Sequence, residues 1–276
     1  SCDLCPRHCA VDRLSDQRGF CQTGRRAGVA SYTPHFGEED CLVGRAGSGT
    51  IFFSGCNLSC VFCQNWDISQ EDLGHEVKAE ELAKMMLALE DSGCHNINLV
   101  TPTHVVPQIL EALVLAREEG LSVPLVYNSG GYDSAEALLL LDGIIDIYMP
   151  DAKYGQDGPA QKYSAAPGYT TVNKAALKEM HRQVGDLQMD EEGIALQGLL
   201  VRHLVLPADA AGTEEVVRFI SQEISVHTYL NVRAQYHPEY QDCRYPELSR
   251  AITAREYAEA LHLAEKAGLV RGLAML

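Results

Sequence analysis

Three cysteines lie close together in the sequence, at Cys56, Cys60 and Cys63. Three residues separate the first pair and two separate the second, so one tight loop can direct three thiolates at a single inorganic centre. A centre of four irons held by only three cysteines keeps one iron open for an external ligand. A structural zinc site, which is the alternative, needs a fourth ligand nearby. The spacing therefore favours a catalytic 4Fe-4S cluster over structural zinc.

A second cysteine set lies at the amino terminus. It has the pattern C-x2-C-x3-C-x11-C and comprises Cys2, Cys5, Cys9 and Cys21. The surrounding segment contains few apolar residues, so it cannot easily fold without a metal. Four thiolates suit either tetrahedral zinc or a fully ligated iron–sulfur cluster. We expect a second metal centre here, with an iron–sulfur cluster preferred to zinc.

Composition limits the setting in which these cysteines act. The ten cysteines belong to a chain of 276 residues, which is long enough to build a core without disulfides, and their close spacing is typical of metal ligation in a reducing cytoplasm. The formal net charge of −16 argues against binding driven by nucleic-acid phosphates. No apolar run approaches the roughly 20 residues of a membrane-spanning helix, and no secretory leader is visible. We therefore expect a folded cytoplasmic protein that binds neither nucleic acid nor a membrane.

The elements that must position the cysteines alternate between strands and helices after about residue 45. Apolar runs predict six strands, at residues 49–54, 97–100, 124–127, 144–149, 199–206 and 226–233. Residues 155–167 are predicted to form a loop and residues 172–188 a helix. Parallel neighbours need long crossover connections, so the pattern predicts an α/β fold, a partial (β/α)6 TIM-like barrel, over residues 46–276. Residues 1–45 are predicted to form a separate cysteine-rich metal-binding segment.

The loop at residues 54–66, with Phe62 before the last cysteine, resembles the CxxxCxxC signature of the radical S-adenosylmethionine superfamily. The resemblance extends along the chain to the branch of pyruvate formate-lyase activating enzymes, through the CDLCPRHC run at 2–9 and the VYNSGGY run at 126–132. It implies that Cys56, Cys60 and Cys63 bind a 4Fe-4S cluster whose open iron chelates S-adenosyl-L-methionine. One electron from the cluster would then cleave this cofactor to a 5′-deoxyadenosyl radical.

The resemblance also implies cofactor contacts at the ends of later strands. It assigns them to Phe62, Asn128, Ser129, Asp151, Lys153, Arg202 and His237. Oxygens of Asn128, Ser129 and Asp151 and the backbone carbonyl of Met149 are further candidates to bind a monovalent cation beside the cofactor carboxylate. Asp151 and Lys153 could instead form an ordinary ion pair at a strand end.

One departure from the family concerns the second strand of the barrel. The family usually carries a GGE-like run there, whereas this chain has NLVTPTH at 98–104. Thr101 and Thr103 offer hydroxyls and carbonyls but no carboxylate to meet the cofactor ammonium. We assign both threonines to the cofactor pocket, with a helix N-cap as the alternative for Thr103. His104 is considered for the same pocket.

These residues predict an enzyme that abstracts a hydrogen atom from a protein, a peptide or a metabolite. An activase of a glycyl-radical enzyme is one alternative, and a non-catalytic binding module held by two zinc sites is another. An electron-donor partner such as flavodoxin or ferredoxin is inferred only from the need for an electron.

Overall fold

A computed structural model describes residues 2–71 and 73–273. Its strands, numbered in chain order, are β1 (Ala27–His35), β2 (Ser48–Phe53), β3 (His75–Val77), β4 (Ile97–Val100), β5 (Leu125–Ser129), β6 (Ile147–Pro150), β7 (Gln188–Met189), β8 (Ala195–Leu204) and β9 (Tyr229–Arg233). Its helices are α1 (Asp40–Val43), α2 (Trp66–Gln70), α3 (Ala79–Asp91), α4 (Val106–Glu118), α5 (Ala135–Leu139), α6 (Asp157–Ser164), α7 (Tyr169–Val184), α8 (Thr213–Phe219) and α9 (Ala254–Lys266).

One mixed sheet organises the chain, with the strand order β3-β1-β2-β4-β5-β6-β8-β7 and with β9 also paired to β8. The strands β2, β4, β5, β6, β8 and β9 run parallel to one another. The strands β1, β3 and β7 are antiparallel additions. Within residues 2–71 and 73–273 no pairing joins the two ends of the sheet, so the barrel is open. The six parallel strands with their crossover helices confirm the predicted partial (β/α)6 barrel.

The two faces of the sheet pack against different elements. Side chains such as Leu99, Tyr127 and Tyr148 pack against the helices on the outer face, where they meet Met86 of α3 and Leu113 of α4. The alternation of side chains along each strand turns the neighbouring residues to the inner face.

The inner face is covered at one end by the short helix α1. Its residues Cys41 and Leu42 pack against Val126 and Met149. Asn96, which directly precedes β4, donates its side-chain N–H to the Leu42 carbonyl over 2.8 Å. Because Asn96 precedes a parallel strand, α1 lies at the amino ends of these strands, and the opposite end of the barrel carries the loops on which chemistry is expected.

Several boundaries differ from the sequence predictions. Helix α6 occupies part of the stretch predicted as a loop; its Pro159 lies in the first turn, where a backbone N–H is not needed. Helix α7 begins at Tyr169 and ends before Gly185, whose positive φ stops it earlier than predicted. Strand β1 was not predicted; it lies within residues 1–45 and pairs with β2. The domain boundary at residue 45 stays a prediction.

The chain before β1 is irregular. Residues 2–26 contain one 3-10 turn, Arg13–Ser15, and residues such as His8, Ala10 and Gln22 adopt positive φ values. The ends of the first loop are joined by a bond from Cys2 N–H to Val11 O at 2.7 Å. All ten cysteines are free thiols. No helix among the described residues is long and apolar enough to cross a membrane.

Candidate functional site

The loop that carries Cys56, Cys60 and Cys63, here called the three-cysteine loop, follows the carboxyl end of β2. It is held on two sides by backbone hydrogen bonds. Val61 N–H donates to Tyr163 O over 2.8 Å, and Val61 O accepts from Gln241 N–H over 2.8 Å. The loop therefore lies between the chain that follows β6 and the chain that follows β9.

Polar groups approach the sulfurs of this loop. Leu58 N–H lies 3.3 Å from Cys56 Sγ, and Ser164 Oγ donates to Cys60 Sγ over 3.0 Å. Burial raises the pKa of both thiols. Hydrogen-bond donors favour the thiolate, but buried sulfurs also need a positive centre to stay deprotonated. The loop thus presents thiols of the kind that bind a metal.

A compact ionic network lies at the carboxyl ends of β5, β6 and β8. Lys153 Nζ lies 2.6 Å from Asp151 Oδ2, and Arg202 Nε donates to Asp151 Oδ1 over 3.0 Å. Arg202 Nη2 also donates to Asn128 Oδ1 over 2.6 Å. The Lys153, Asp151 and Arg202 side chains are mostly buried. The structure therefore brings together four of the residues that the sequence assigned to the cofactor.

Each charge in this network is held by its neighbours. Burial alone would raise the pKa of Asp151, but Lys153 and Arg202 lower it to about 2. Burial is the largest single influence and would lower the pKa of Lys153, but Asp151 and Cys60 together raise it. The positive charge of Lys153 also favours the Cys60 thiolate, against the larger effect of burial. Two cations and one carboxylate of this network thus lie beside the loop.

Two glycines let the loop and the network approach closely. A Cβ at Gly130 would lie 2.8 Å from Leu58 Cδ1 in the three-cysteine loop. Gly131 has a φ of +71°, and a Cβ there would lie 2.0 Å from the Asp151 carbonyl oxygen. Gly131 requires glycine because a side chain there would strain its backbone and push the chain at Asp151 away, whereas at Gly130 the contact is with the end of the Leu58 side chain.

The oxygens predicted to bind a monovalent cation already have partners. Asn128 Oδ1 and both carboxylate oxygens of Asp151 accept from Arg202 or Lys153. Ser129 donates its hydroxyl to Asp133, and its carbonyl accepts from Asp151 N–H over 2.9 Å. Lys153 and Arg202 therefore already neutralise the carboxylate of Asp151. Met149, the remaining predicted ligand, lies beside Asn128 in the strand register. The cation stays a prediction.

Asp133 is a residue that the sequence analysis missed. Its carboxylate, in a side chain only 2% exposed, accepts hydrogen bonds from Thr103 Oγ1 (2.7 Å), Ser129 Oγ (2.7 Å) and Tyr127 OH (2.9 Å). Burial raises the pKa of Asp133. The hydroxyls of Thr103 and Ser129 are thus directed at Asp133, and the N-cap of α4 is Val105 instead of Thr103. The sequence signal that pointed to this site was the presence of hydroxyl residues, Thr103 and Ser129, at two adjacent strand ends.

The remaining predicted pocket residues differ in position. Thr101, with a φ of +59°, donates its N–H to Asn128 O over 2.9 Å and so lies beside the network. Phe62 is buried and packs edge-on against Tyr236, with ring centroids 5.8 Å apart. His237 is 56% exposed near Glu239, at the rim of the site.

Buried acids below the network were also missed. Glu38 Oε2 lies 3.5 Å from Arg202, and Glu39 Oε1 accepts from Asn231 Nδ2 over 2.9 Å and lies 3.5 Å from Arg233. Burial raises the pKa of Glu38. A run of three acids is typical of a solvated turn, but here only Asp40 is exposed, whereas Glu38 and Glu39 lie against Arg202 and Arg233.

The four amino-terminal cysteines line one cavity, here called the N-terminal cavity. Its other lining residues include Arg7, Arg13 and His104. Arg7 joins this cavity to the three-cysteine loop, because its Nε donates to Asn57 O over 2.7 Å. A Cβ at Gly55 would lie 2.4 Å from Cys21 O, so the two cysteine-bearing segments are in direct contact.

His104 lies at the N-terminal cavity. Its Nε2 donates to Ser54 O over 2.8 Å, and its ring lines the N-terminal cavity. Among residues 2–71 and 73–273, no three His, Cys, Asp or Glu side chains converge as ligands of a single metal ion. Metal ligation by either cysteine set is therefore a proposal.

Comparisons with known proteins agree with this geometry. Residues 50–184 match the family model described as Radical SAM superfamily. An uncharacterized protein of Methanocaldococcus jannaschii is 34% identical over 279 residues, covering 98% of this chain and 75% of that protein. A pyruvate formate-lyase-activating enzyme of Clostridium pasteurianum is 26% identical over 171 residues, covering 60% of this chain and 65% of that enzyme.

Solved structures show the same fold. A radical SAM methyltransferase from Sphaerobacter thermophilus superposes with a TM-score of 0.55 at 14% identity, over 80% of this chain and 64% of that one. Methylornithine synthase superposes with a TM-score of 0.53 at 16% identity, over 80% and 62%. The chain thus spans less than two thirds of the length of these two proteins.

This chain belongs to the radical S-adenosylmethionine superfamily. Membership implies a 4Fe-4S cluster and S-adenosylmethionine. The residues present fit both groups, since three thiols follow β2, two of them beside polar donors, and an ionic network with the buried cations Lys153 and Arg202 lies against the same loop.

Proposed function

We propose that this protein is an enzyme that cleaves S-adenosylmethionine reductively to a 5′-deoxyadenosyl radical, which removes a hydrogen atom from a substrate. The observation that carries the proposal is the close contact between the three-cysteine loop and the Lys153–Asp151–Arg202 network, through Leu58 and Gly130. Cys56, Cys60 and Cys63 would hold the cluster, which when bound supplies one electron and an open iron position.

The chain's own residues would bind and orient the cofactor. Lys153 and Arg202 offer N–H donors for the cofactor carboxylate, and Arg202 can present a planar fork to it. Asp151 keeps both cations in place, which lowers the entropy lost on binding. Thr101 lies at the adjoining strand end, where its carbonyl or hydroxyl could meet the cofactor ammonium.

The amino-terminal set would hold a second centre. Cys2, Cys5, Cys9 and Cys21 line one cavity, which supports ligation of an iron–sulfur cluster or zinc. A reducing cytoplasm suits a protein whose ten cysteines form no disulfide. Superfamily membership favours this enzyme over a non-catalytic module with two zinc sites.

The substrate proposal covers a protein, a peptide or a metabolite. The similarity to a pyruvate formate-lyase-activating enzyme favours a specific case, activation of a glycyl-radical enzyme. An external one-electron donor such as flavodoxin or ferredoxin would complete the reaction. Anaerobic incubation with a glycyl-radical enzyme would yield a protein radical signal in electron paramagnetic resonance if the activase case is correct.

The test of the proposed function is cofactor cleavage. Anaerobically reconstituted protein with dithionite should release 5′-deoxyadenosine and methionine, measured by liquid chromatography. Replacing Cys56, Cys60 and Cys63 together by alanine should abolish this release, whereas Cys243→Ala, at an exposed cysteine outside both sets, should leave it unchanged. A cluster-loaded sample that releases neither product would contradict the proposal.

A further inference from the structure

Three polar atoms around the N-terminal cavity are buried without a hydrogen-bond partner. They are Arg7 Nη2, Arg13 Nη2 and His104 Nδ1, and all three residues line the cavity with the four cysteines. Leaving a buried charged N–H unpaired is costly, so native proteins almost always supply an acceptor. A cavity with two unpaired guanidinium N–H groups therefore calls for an anion inside it.

The remaining bonds of the two arginines fix where these N–H groups lie. Arg7 Nη1 donates to Ala165 O over 2.6 Å while its Nε donates to Asn57 O. Arg13 Nη1 donates to His104 O over 2.8 Å and its Nε donates to Gly24 O over 2.9 Å. Each guanidinium is thus anchored by two backbone carbonyls, and Arg7 also lies over the Phe20 ring at 3.7 Å, so Nη2 is the one nitrogen of each guanidinium without a hydrogen-bond partner.

His104 plays a different part from the arginines. Its Nε2 donates to Ser54 O, so the neutral ring keeps a lone pair on Nδ1. Burial lowers the pKa of His104 to about 4, which keeps the ring neutral. A lone pair cannot compensate negative charge, so positive charge at the cavity comes from Arg7 and Arg13.

We propose that the N-terminal cavity binds a dianionic metal–tetrathiolate centre whose charge is neutralised by Arg7 and Arg13. Four thiolates around Zn²⁺, or around a 4Fe-4S core with two positive charges, carry a net charge of about −2. Two guanidinium groups supply the matching two positive charges at a site where an uncompensated dianion would be strongly disfavoured. This inference deepens the second metal centre of the proposed function and rests on it.

Arg7 has a second consequence. It donates to Asn57 O, between Cys56 and Cys60, so the same side chain contacts the three-cysteine loop and the N-terminal cavity. Filling the cavity would therefore hold Arg7, and through it the backbone of the three-cysteine loop, in one position. Arg7 is a positioning residue for the first cluster and a charge-compensating residue for the second centre.

The experiment uses the full chain carrying C56A/C60A/C63A, so that all bound metal reports the amino-terminal set. Iron, sulfide and zinc are measured after anaerobic purification, and release of the metal to a chelator is followed. Arg7→Gln and Arg13→Gln should each speed metal release at least tenfold, because each removes a charged donor. Arg7→Lys and Arg13→Lys should recover most of the wild-type rate, since they keep the charge.

Arg25→Gln is the matched control, because Arg25 lies in the same segment but pairs with exposed Glu111 outside the cavity. If the metal is an iron–sulfur cluster, Arg7→Gln should also lower its reduction potential, which a purely structural role would not do. Unchanged metal release in both glutamine variants, or equal loss in the lysine and glutamine variants, would overturn the inference. Failure of the parent triple variant to bind any metal would overturn it too, while leaving cofactor cleavage by the wild-type protein intact.

Discussion

The two cysteine sets of this protein are positioned in opposite ways. The three-cysteine loop follows a buried parallel strand and is tied by backbone bonds to the chain after β6 and β9. Residues 2–26 form no strand, contain one 3-10 turn, and are attached to the barrel mainly by side-chain bonds such as those of Arg7, Arg13 and Arg25. The sheet therefore shapes the first site, whereas the proposed metal would be the main organiser of the second.

This difference separates two physical roles for one residue type. A loop built on rigid strand ends can leave one coordination position open without losing its shape, as catalysis requires. A segment with little apolar surface gains order from metal ligation itself, so its ligands are more useful when all are engaged.

The largest effect that would test this comparison comes from removing the amino-terminal ligands. Replacing Cys2, Cys5, Cys9 and Cys21 together by alanine should expose residues 2–26 to rapid proteolysis while the barrel stays folded, because no regular structure holds that segment. Limited proteolysis with mass spectrometry and circular dichroism would measure both. The alanine triple variant of the three-cysteine loop is the control, and it should keep the segment protected. Equal protection in the quadruple variant would show that the segment is ordered without metal.

A smaller effect concerns the network beside the three-cysteine loop. Lys153→Met should weaken S-adenosylmethionine binding roughly tenfold to hundredfold, the expected loss for one charged hydrogen bond. Lys153→Arg should recover part of the affinity, and neither change should alter metal at the amino-terminal set. Isothermal titration calorimetry on reconstituted protein gives the dissociation constants. An unchanged affinity in Lys153→Met would mean that the network serves only the fold.

The smallest effect is a pH dependence of barrel stability. Lys153 and Arg202 lower the pKa of Asp151 to about 2, so its ionised form stabilises the folded state fully above about pH 4 and loses that effect as the pH falls toward 2. The Tm difference between the wild-type protein and Asp151→Asn should therefore shrink as the pH falls from 5 to 2. Asp91→Asn, at the exposed end of α3, is the control. A Tm difference between the wild-type protein and Asp151→Asn that does not change with pH would contradict the assignment.

The sequence predicted the barrel because its strands and helices are locally encoded. The apolar run at Ile97–Val100, for example, forms a strand with the predicted bounds. Strand β1 escaped prediction because only two of its nine residues are buried and its pairing with β2 is antiparallel, outside the repeating βα pattern. Short antiparallel additions such as β3 leave little periodic signal.

The site was predictable only where the resemblance supplied positions. Asn128, Asp151, Lys153 and Arg202 converge because they end neighbouring parallel strands, which the βα order already implied. Asp133 could not be found this way, since its role depends on three hydroxyl donors that only the folded chain brings together.

Helix α1 closes one end of the inner face of the open barrel. It packs at the amino ends of the parallel strands, and the loop before it reaches across to β8 and β9 through Glu38 and Glu39. A molecule therefore cannot reach the inner face from that end. If S-adenosylmethionine binds beside the three-cysteine loop as proposed, it would cover part of the opposite end, and a substrate seated beneath it would have to bind first and leave last.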